Sequence, residues 1–329
     1  MSKQFISPPP VGQDLVAERL PSTFRLTAFG HRPLDHKTTE CTASLYHDQA
    51  SLQVVWSCKQ PDLRLHIGAL VSIRWQGQPT NLDGCIRINR LVLLERPEAS
   101  LDLFETILPL WVTDRELVKR ANALLKPLPL AFKQLFNAIF WDDHRFHRFL
   151  VGLSSMAGHH NRRNGNLKHS VEVAEFAMRM VPKDKLVSQP VLTLACLLHD
   201  AGKADEYCFN NRRLRFERST RGSLLGHKHI VVEWIVEAKA RHRIPLPETH
   251  YLALMHALTA VKGAPAWTGL REPASLEASI LSMADRLSGQ GDLTESLAPE
   301  EDGFGGYHKH LRGRPYVVRN EFSGPTTSP

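Results

Sequence analysis

The chain has 329 residues, enough for about two domains of ordinary size, and its 42% hydrophobic content supports a packed core. A formal charge of +7 and a sequence pI of about 9.2 favour a polyanionic partner without specifying one. No stretch approaches the roughly 20 apolar residues of a membrane span. The opening MSKQFISPPPVGQ lacks the apolar centre of a signal peptide, and the five cysteines form no CxxC pair, so a cytoplasmic protein with reduced thiols and no membrane partner is expected.

Residues 1–12 are proline-rich and read as an extended tail. From about Arg25 to Leu94 the pattern is short and alternating, with apolar residues at every second position in 51–56, 63–67, 71–75 and 85–89. Turn signals separate them at Gly77-Gln78-Pro79 and Asn81-Leu82-Asp83-Gly84. This spacing predicts an N-terminal all-β domain over 1–110, a small barrel or sandwich; if the strands form an OB-like barrel, one face is expected to bind single-stranded nucleic acid. Trp56 shares a face with Leu52 and Val54, and Trp75 with Val71 and Ile73, so both indoles belong to the core rather than to a stacking platform. Arg64, His66, Arg74 and Arg87 fall on the opposite faces. These four are the candidates for phosphate contact, Arg74 and Arg87 foremost, the plainer alternative being a solvated face.

After a connection over 95–112 the period becomes helical. Asp114 is placed to cap one helix; Pro127 and Pro129 end it and start another through Phe132, Leu135, Phe136 and Ile139. Further helices are predicted over 166–180, 191–199, 230–240, 250–258 and 276–287. The resulting division is a helical connection over 111–155, an all-α domain over 156–315 and a flexible tail over 316–329.

Between residues 169 and 285 the helices carry His169, the pair His199-Asp200 followed by Ala201-Gly202-Lys203, then His227, His256 and Asp285. Any one of these histidines alone reads as a surface or hydrogen-bonded core residue. Five ligand-type positions in order, with Gly-Lys directly after the pair, read as a divalent-metal site, because an aspartate on an apolar helix face is costly unless a cation or donor satisfies it. Adjacent ligands at a helix end both turn toward one ion, and Asp200 has two oxygens with which to bridge two. Nitrogen and oxygen donors suit Mn²⁺, Mg²⁺, Co²⁺, Fe²⁺ or Zn²⁺ without choosing among them, as one or two ions, and Mn²⁺ is the expected one. Phosphate ester hydrolysis uses such a centre, so a metal-dependent phosphohydrolase is expected.

The order H…HD…H…H…D resembles the HD-domain metal phosphohydrolases. The chain is similar more narrowly to the YhaM-type 3′→5′ exoribonucleases, which join an OB-fold to an HD domain. The resemblance rests on Ala157-Gly158-His159-His160, Gly165 to His169, Leu197 to Lys203 with Glu206-Tyr207, Gly222 to His227, His250 with His256, Glu277-Ala278, and Ala284-Asp285-Arg286-Leu287. It implies His169, His199, Asp200 and Asp285 as ligands of a first ion. His227 and His256 would hold a second, bridged by Asp200. Lys203 would face the substrate phosphate, and His159 and His160 would lie at the mouth of the site. The chain departs from the family at Met255-His256-Ala257, where two adjacent histidines and a glycine are usual. His250 is the other candidate there. Six residues separate it from His256, about 120° around a helix, so the two do not share one ion.

In the reaction so implied, Asp200 is the central metal carboxylate. Lys203 neutralises charge on the non-bridging oxygens, the alternative being a lysine that closes a helix end. Arg162 and Arg163 beside the histidine pair are placed to guide phosphates, and Arg212, Arg213, Arg215 and Arg218 form a second basic cluster in an expected loop. The expected function is a 3′→5′ exonuclease on single strands, RNA before DNA, with a homo-oligomer allowed. The rival readings are a hydrolase of free nucleotides, a relaxase-like plasmid-transfer factor acting on DNA, and a non-catalytic nucleic-acid adaptor. A barrel would be superfluous for a free-nucleotide hydrolase, and the intact His199-Asp200 pair with Asp285 counts against the adaptor.

Overall fold

The computed structural model describes residues 20–77, 81–82, 84–181 and 186–319. The tail expected over 1–12 and most of that over 316–329 lie outside these residues. The chain divides into two compact units. One comprises Met1–Leu150 with Glu233–Pro247; the other comprises Val151–Val232 with Glu248–Pro329. The helical connection expected over 111–155 therefore falls, up to Leu150, in the same unit as the strands.

The first unit holds a closed five-stranded barrel. Its strands are β1 (Phe24–Pro33), β2 (Thr39–His47), β3 (Ala50–Cys58), β4 (Leu70–Trp75) and β6 (Cys85–Leu93), with a short β5 (Asn81–Leu82) appended to β6. Neighbours run β3-β2-β1-β4-β6, and a parallel pairing of Val54 with Ile86 and Val55 with Arg87 closes β6 back onto β3. The order is consistent with an OB-like barrel. Alternation decides which side chains enter: Cys41, Ala43 and Leu45 from β2 and Ala50, Leu52, Val54 and Trp56 from β3 fill the interior, while Ser51, Gln53 and Ser57 face out. A bulge opposite Arg74 and Trp75 breaks the period of β6, so that Ile88 and Leu91, three residues apart, are both buried. Trp56 is a core residue, stacked on Phe29 with centroids 6.0 Å apart, and Trp75 packs against that core.

Residues 63–67, expected as a strand, are not one. Asp62 folds the chain back locally, its Oδ1 accepting the Arg64 amide at 3.1 Å, and the Leu65 amide donates to its carbonyl at 3.1 Å. Leu63 and Ile67 are consequently 80% and 63% exposed. The alternation there is compositional and meets no ladder.

Arg25, on β1, is fully buried. Its guanidinium donates to the Gly68 carbonyl at 2.6 Å and the Thr106 hydroxyl at 2.9 Å, tying the barrel to a 3-10 turn at Leu103–Thr106. Burial lowers its pKa to about 10. Beyond that turn stand α1 (Arg115–Leu125), α2 (Leu130–Ile139) and α3 (Asp143–Val151). Asp114 caps α1 by accepting the Leu117 amide at 3.0 Å, as its sequence position predicts. A chain of aromatic contacts, Phe104–Phe136–Phe140–Phe149, joins these helices to the turn.

The second unit is mainly helical: α4 (Gly165–Met180), α5 (Gln189–Leu198), α6 (Lys203–Glu206), α7 (Thr220–Leu224), the start of α8 (Gly226–Arg241), α9 (Glu248–Thr259) and α10 (Leu276–Leu297). It is not all-α. The arginine-rich segment expected as a loop is a hairpin, β7 (Tyr207–Asn210) with β8 (Arg215–Arg218), and β9 (Gly303–Phe304) pairs with β10 (Tyr316–Val317). The first hairpin turns because Asn210 Oδ1 accepts the amides of Arg212 and Arg213, at 3.0 and 3.1 Å. No described helix is long and apolar enough to cross a membrane.

Candidate metal centre

The centre is built around α5, which is buried throughout from Val191 to Leu198; α4, α9 and α10 pack on it, and α4, α10 and the start of α8 bring the other side chains. His199 and Asp200 follow the last residue of α5 and are both buried, at the point where the chain leaves the helix. Gly202 explains part of the His-Asp-Ala-Gly-Lys spacing. A Cβ there would lie 2.1 Å from the His227 carbonyl oxygen, so only glycine lets the start of α8 come this close and deliver the His227 ring to Asp200. Gly165 does the same at the start of α4, where a Cβ would lie 2.0 Å from the carbonyl oxygen of His160.

His169, His199 and Asp200 place their ligand atoms within 4.8 Å of one another. His199 directs Nδ1 to the Cys196 carbonyl at 2.8 Å, so Nδ1 carries the proton and Nε2 keeps its lone pair. The tautomer of His169 follows from its neighbours. Glu172 is an ionised acceptor and receives the Ser288 hydroxyl at 3.0 Å; that hydroxyl has no second proton, so at 3.0 Å it accepts from His169 Nδ1. His169 Nε2 is then also a lone pair. The two Nε2 atoms stand 3.3 Å apart, with Asp285 Oδ1 at 3.1 Å and Asp200 Oδ2 at 3.4 Å from that of His169. Two lone pairs and two carboxylates converging in a space open only beside Asp285 repel one another unless a cation or protons sit among them. The donor set therefore fits a divalent ion.

A second set lies on the other oxygen of Asp200. His227 gives Nδ1 to Glu206 at 2.7 Å and points Nε2 at Asp200 Oδ1 from 3.3 Å. Glu206 also accepts the His227 amide at 2.8 Å, which fixes both ring and backbone. Burial alone would raise the acid pKa values, but the surrounding bases reverse this. Where no cation sits among them, protons take its place: Lys203, with His199, His169 and His227 in their protonated forms, holds Asp200 well below the usual carboxylate range, and a protonated His169 donating from Nε2, with the charge of His199, brings Asp285 to about 2. Lys203 Nζ pairs with Asp200 Oδ2 and lies 3.4 Å from Ser154 Oγ.

His159 and His160 separate in role. The His159 ring centroid is 4.7 Å from that of His169, and its Nε2 is buried with no described partner. Burial, then the neighbouring His169 and Lys203, lowers its pKa to about 4, so it is neutral at pH 7. His160 is not at the mouth of the site. It is fully buried at φ 48°, with Nε2 on Glu172 at 2.9 Å and its amide donated to Asp292 at 2.6 Å. Arg162 is half-exposed and also binds Asp292, at 2.8 Å, while Arg163 is exposed. A cleft of about 630 Å³ opens beside His159 and Asp285 and is lined by Arg286, His310, Arg312 and Arg314.

His256 does not join the cluster. Its Nε2 accepts the Ala274 amide at 2.9 Å, so the lone pair that a cation would use is spent. Arg74 and Arg87 are exposed on β4 and β6 of the first unit, and Arg90 stands directly across from Arg74. In the β7–β8 hairpin Arg213 and Arg215 are paired with Glu217, and Arg218 with Glu206.

Glu172, Ser288 and Asp292 were assigned no role from sequence, and Glu206 only appeared within a motif. The available signal was spacing: Glu172 lies three residues after His169 and Ser288 three after Asp285, so each shares a helix face with a ligand. No such signal marks Arg312 or Arg314, which reach the cleft through the fold.

The geometry has a counterpart among known families. No curated protein and no solved structure matches the chain. The family model of the HD domain matches residues 166–290, a span that contains His169, His199, Asp200, Lys203, His227 and Asp285. HD-domain proteins are metal-dependent phosphohydrolases that bind divalent ions, and the match together with the histidine–aspartate cluster supports that chemistry for the second unit.

Proposed function

We propose that the protein is a metal-dependent phosphodiesterase that degrades single-stranded RNA in the 3′→5′ direction, with DNA as the lesser substrate and Mn²⁺ as the working cation. The observation that carries the reading is Asp200: one oxygen faces His169 and His199, and the other faces His227 at 3.3 Å. An ion bound here lowers the pKa of its water and neutralises phosphate charge. The chain's own residues do the rest. Lys203 is held beside Asp200 and Ser154 and carries a fixed positive charge toward the non-bridging oxygens. His159, neutral and unpartnered at Nε2, hydrogen-bonds the bound ester. Arg286, Arg312 and Arg314 line the cleft and hold neighbouring phosphates.

The polymer reading is supported by the barrel. Arg74, Arg87 and Arg90 crowd its outer surface, and Arg74 faces Arg90 across the ladder, an arrangement disfavoured unless an anion relieves it. A hydrolase of free nucleotides has no use for such a surface. The test is Asp200→Ala. Metal content and hydrolysis of single-stranded RNA are expected to be lost together; retention of both would refute the centre.

A further inference from the structure

A cleft in the first unit encloses about 980 Å³ and has no part in the metal centre. Three stretches of chain meet at it: 95–97 after β6, the segment spanning α2 and α3, and the end of α8. They bring Arg96, Arg145, Arg241, His242 and Arg243 to its lining. The carboxylates that line the same space are already engaged. Glu95 pairs with Arg64, Asp142 accepts the Arg145 amide at 3.0 Å, and Glu237 stands 3.6 Å from Arg241 and 3.9 Å from Arg145. Arg96 and Arg243, both exposed, pair with no carboxylate among the described residues.

The lining is pre-organised. Arg145 donates to the Ile139 carbonyl at 2.9 Å and lies 4.5 Å from the Trp234 ring centroid. Trp141 is pinned by its indole N–H on the Leu94 carbonyl, at 2.9 Å. Arg243 sits at φ 48°, where a helix end normally takes glycine, and the Ile244 amide returns to the Lys239 carbonyl at 3.1 Å. Basic residues that close a helix would account for Arg241 and Arg243. They would not account for Arg96, which comes from another segment, or for a ligand-sized concavity between them. His242 lies among these cations. Burial, then Arg241, lowers its proton affinity, with Arg96 adding to the effect.

We propose that this cleft is a nucleotide-phosphate site, taking the sugar–phosphate backbone of a single strand on Arg96 and Arg243 with the Trp141 face available to a base. The choice of ligand rests on the polymer-substrate reading above. The phosphate chemistry alone would also suit a free nucleotide.

The experiment compares the full-length protein with the double variant Arg96→Ala/Arg243→Gly. Glycine relieves the positive φ at 243, so the thermal midpoint is expected not to fall. Should the double variant fail to fold, Arg243→Gly alone carries the test at half the effect. Binding of dye-labelled oligouridylate is followed by anisotropy across salt in EDTA, so that no hydrolysis is needed, and AMP binding is followed by calorimetry. The expected result is an affinity loss of about tenfold and a log–log salt slope shallower by roughly 1.4, since each lost contact to a single strand removes about 0.7. Loss of AMP affinity with unchanged oligouridylate binding would keep the site and make its ligand a free nucleotide. No change with either probe would overturn it. Strand binding that weakens as expected in a protein that hydrolyses nothing with any cation would leave the cleft standing and refute the proposed catalysis.

Discussion

Lys203 and His159 are the two side chains through which the chain itself meets substrate charge. Lys203→Ala is expected to retain the cation, because His169, His199, Asp200 and Asp285 are untouched, while turnover falls about 10²-fold or more. A change in thermal midpoint alone would make Lys203 a helix-end residue. His159 is expected to stay neutral from pH 8 to pH 5, with its ring proton shifts by NMR moving only as pH approaches its pKa of about 4. The sign for stability follows. His159 falls from 6.5 to about 4 and Asp285 from 3.8 to about 2 on folding, so the unfolded chain binds more protons in both windows. In EDTA the thermal midpoint should be highest above pH 6.5 and drop as pH falls toward 4. It should drop again from about 3.8 to about 2. A midpoint that is flat across the first window would contradict the buried neutral histidine. The pair His199-Asp200 with Gly202-Lys203 was legible in sequence because its members are consecutive and the geometry of one helix end aims them. Their outer partners were not, since Glu206, Glu172 and Asp292 meet them only through tertiary packing.

Elements were legible where periodicity and burial agree. The helices α4, α5 and α9 lie within two residues of their predicted ends, since their apolar faces are the core of the second unit. α10 continues ten residues beyond its predicted end, from 287 to 297, through Gly289 and Gly291 that argue for an earlier stop. α3 was missed because its polar side outweighs the buried Phe146, Phe149 and Leu150. β1 was not resolved because its apolar run is only Phe24 and Leu26 before a bulge that shifts the register at Ala28. Alternation misled at 63–67, where no partner strand stands among the described residues to use it. The contact between α4 and α10 is itself testable through Ser288, which links His169 to Glu172 across the two helices. Ser288→Ala should weaken metal affinity about 10–100-fold by freeing the His169 tautomer, as measured by metal competition titration. Wild-type affinity in that variant would mean that the relay does not set the ring.

At the scale of the whole molecule, the distribution of elements changes how the parts can be separated. A cut at residue 110 would remove the barrel and leave α1 to α3 without Phe104, which packs on Phe136 at 5.5 Å and Phe146 at 6.1 Å. It would also leave 233–247 with only the 111–150 part of its unit. The activity is therefore best measured on the intact chain. Incubation with 5′-end-labelled single-stranded RNA and DNA, with Mn²⁺ or with EDTA, tests the central claim most directly. The account predicts a ladder of RNA products shortening from the 3′ end with Mn²⁺, a slower one with DNA, and none in EDTA or with Asp200→Ala. Full cleavage in EDTA, or no cleavage with any divalent ion while free nucleotides are hydrolysed, would contradict it.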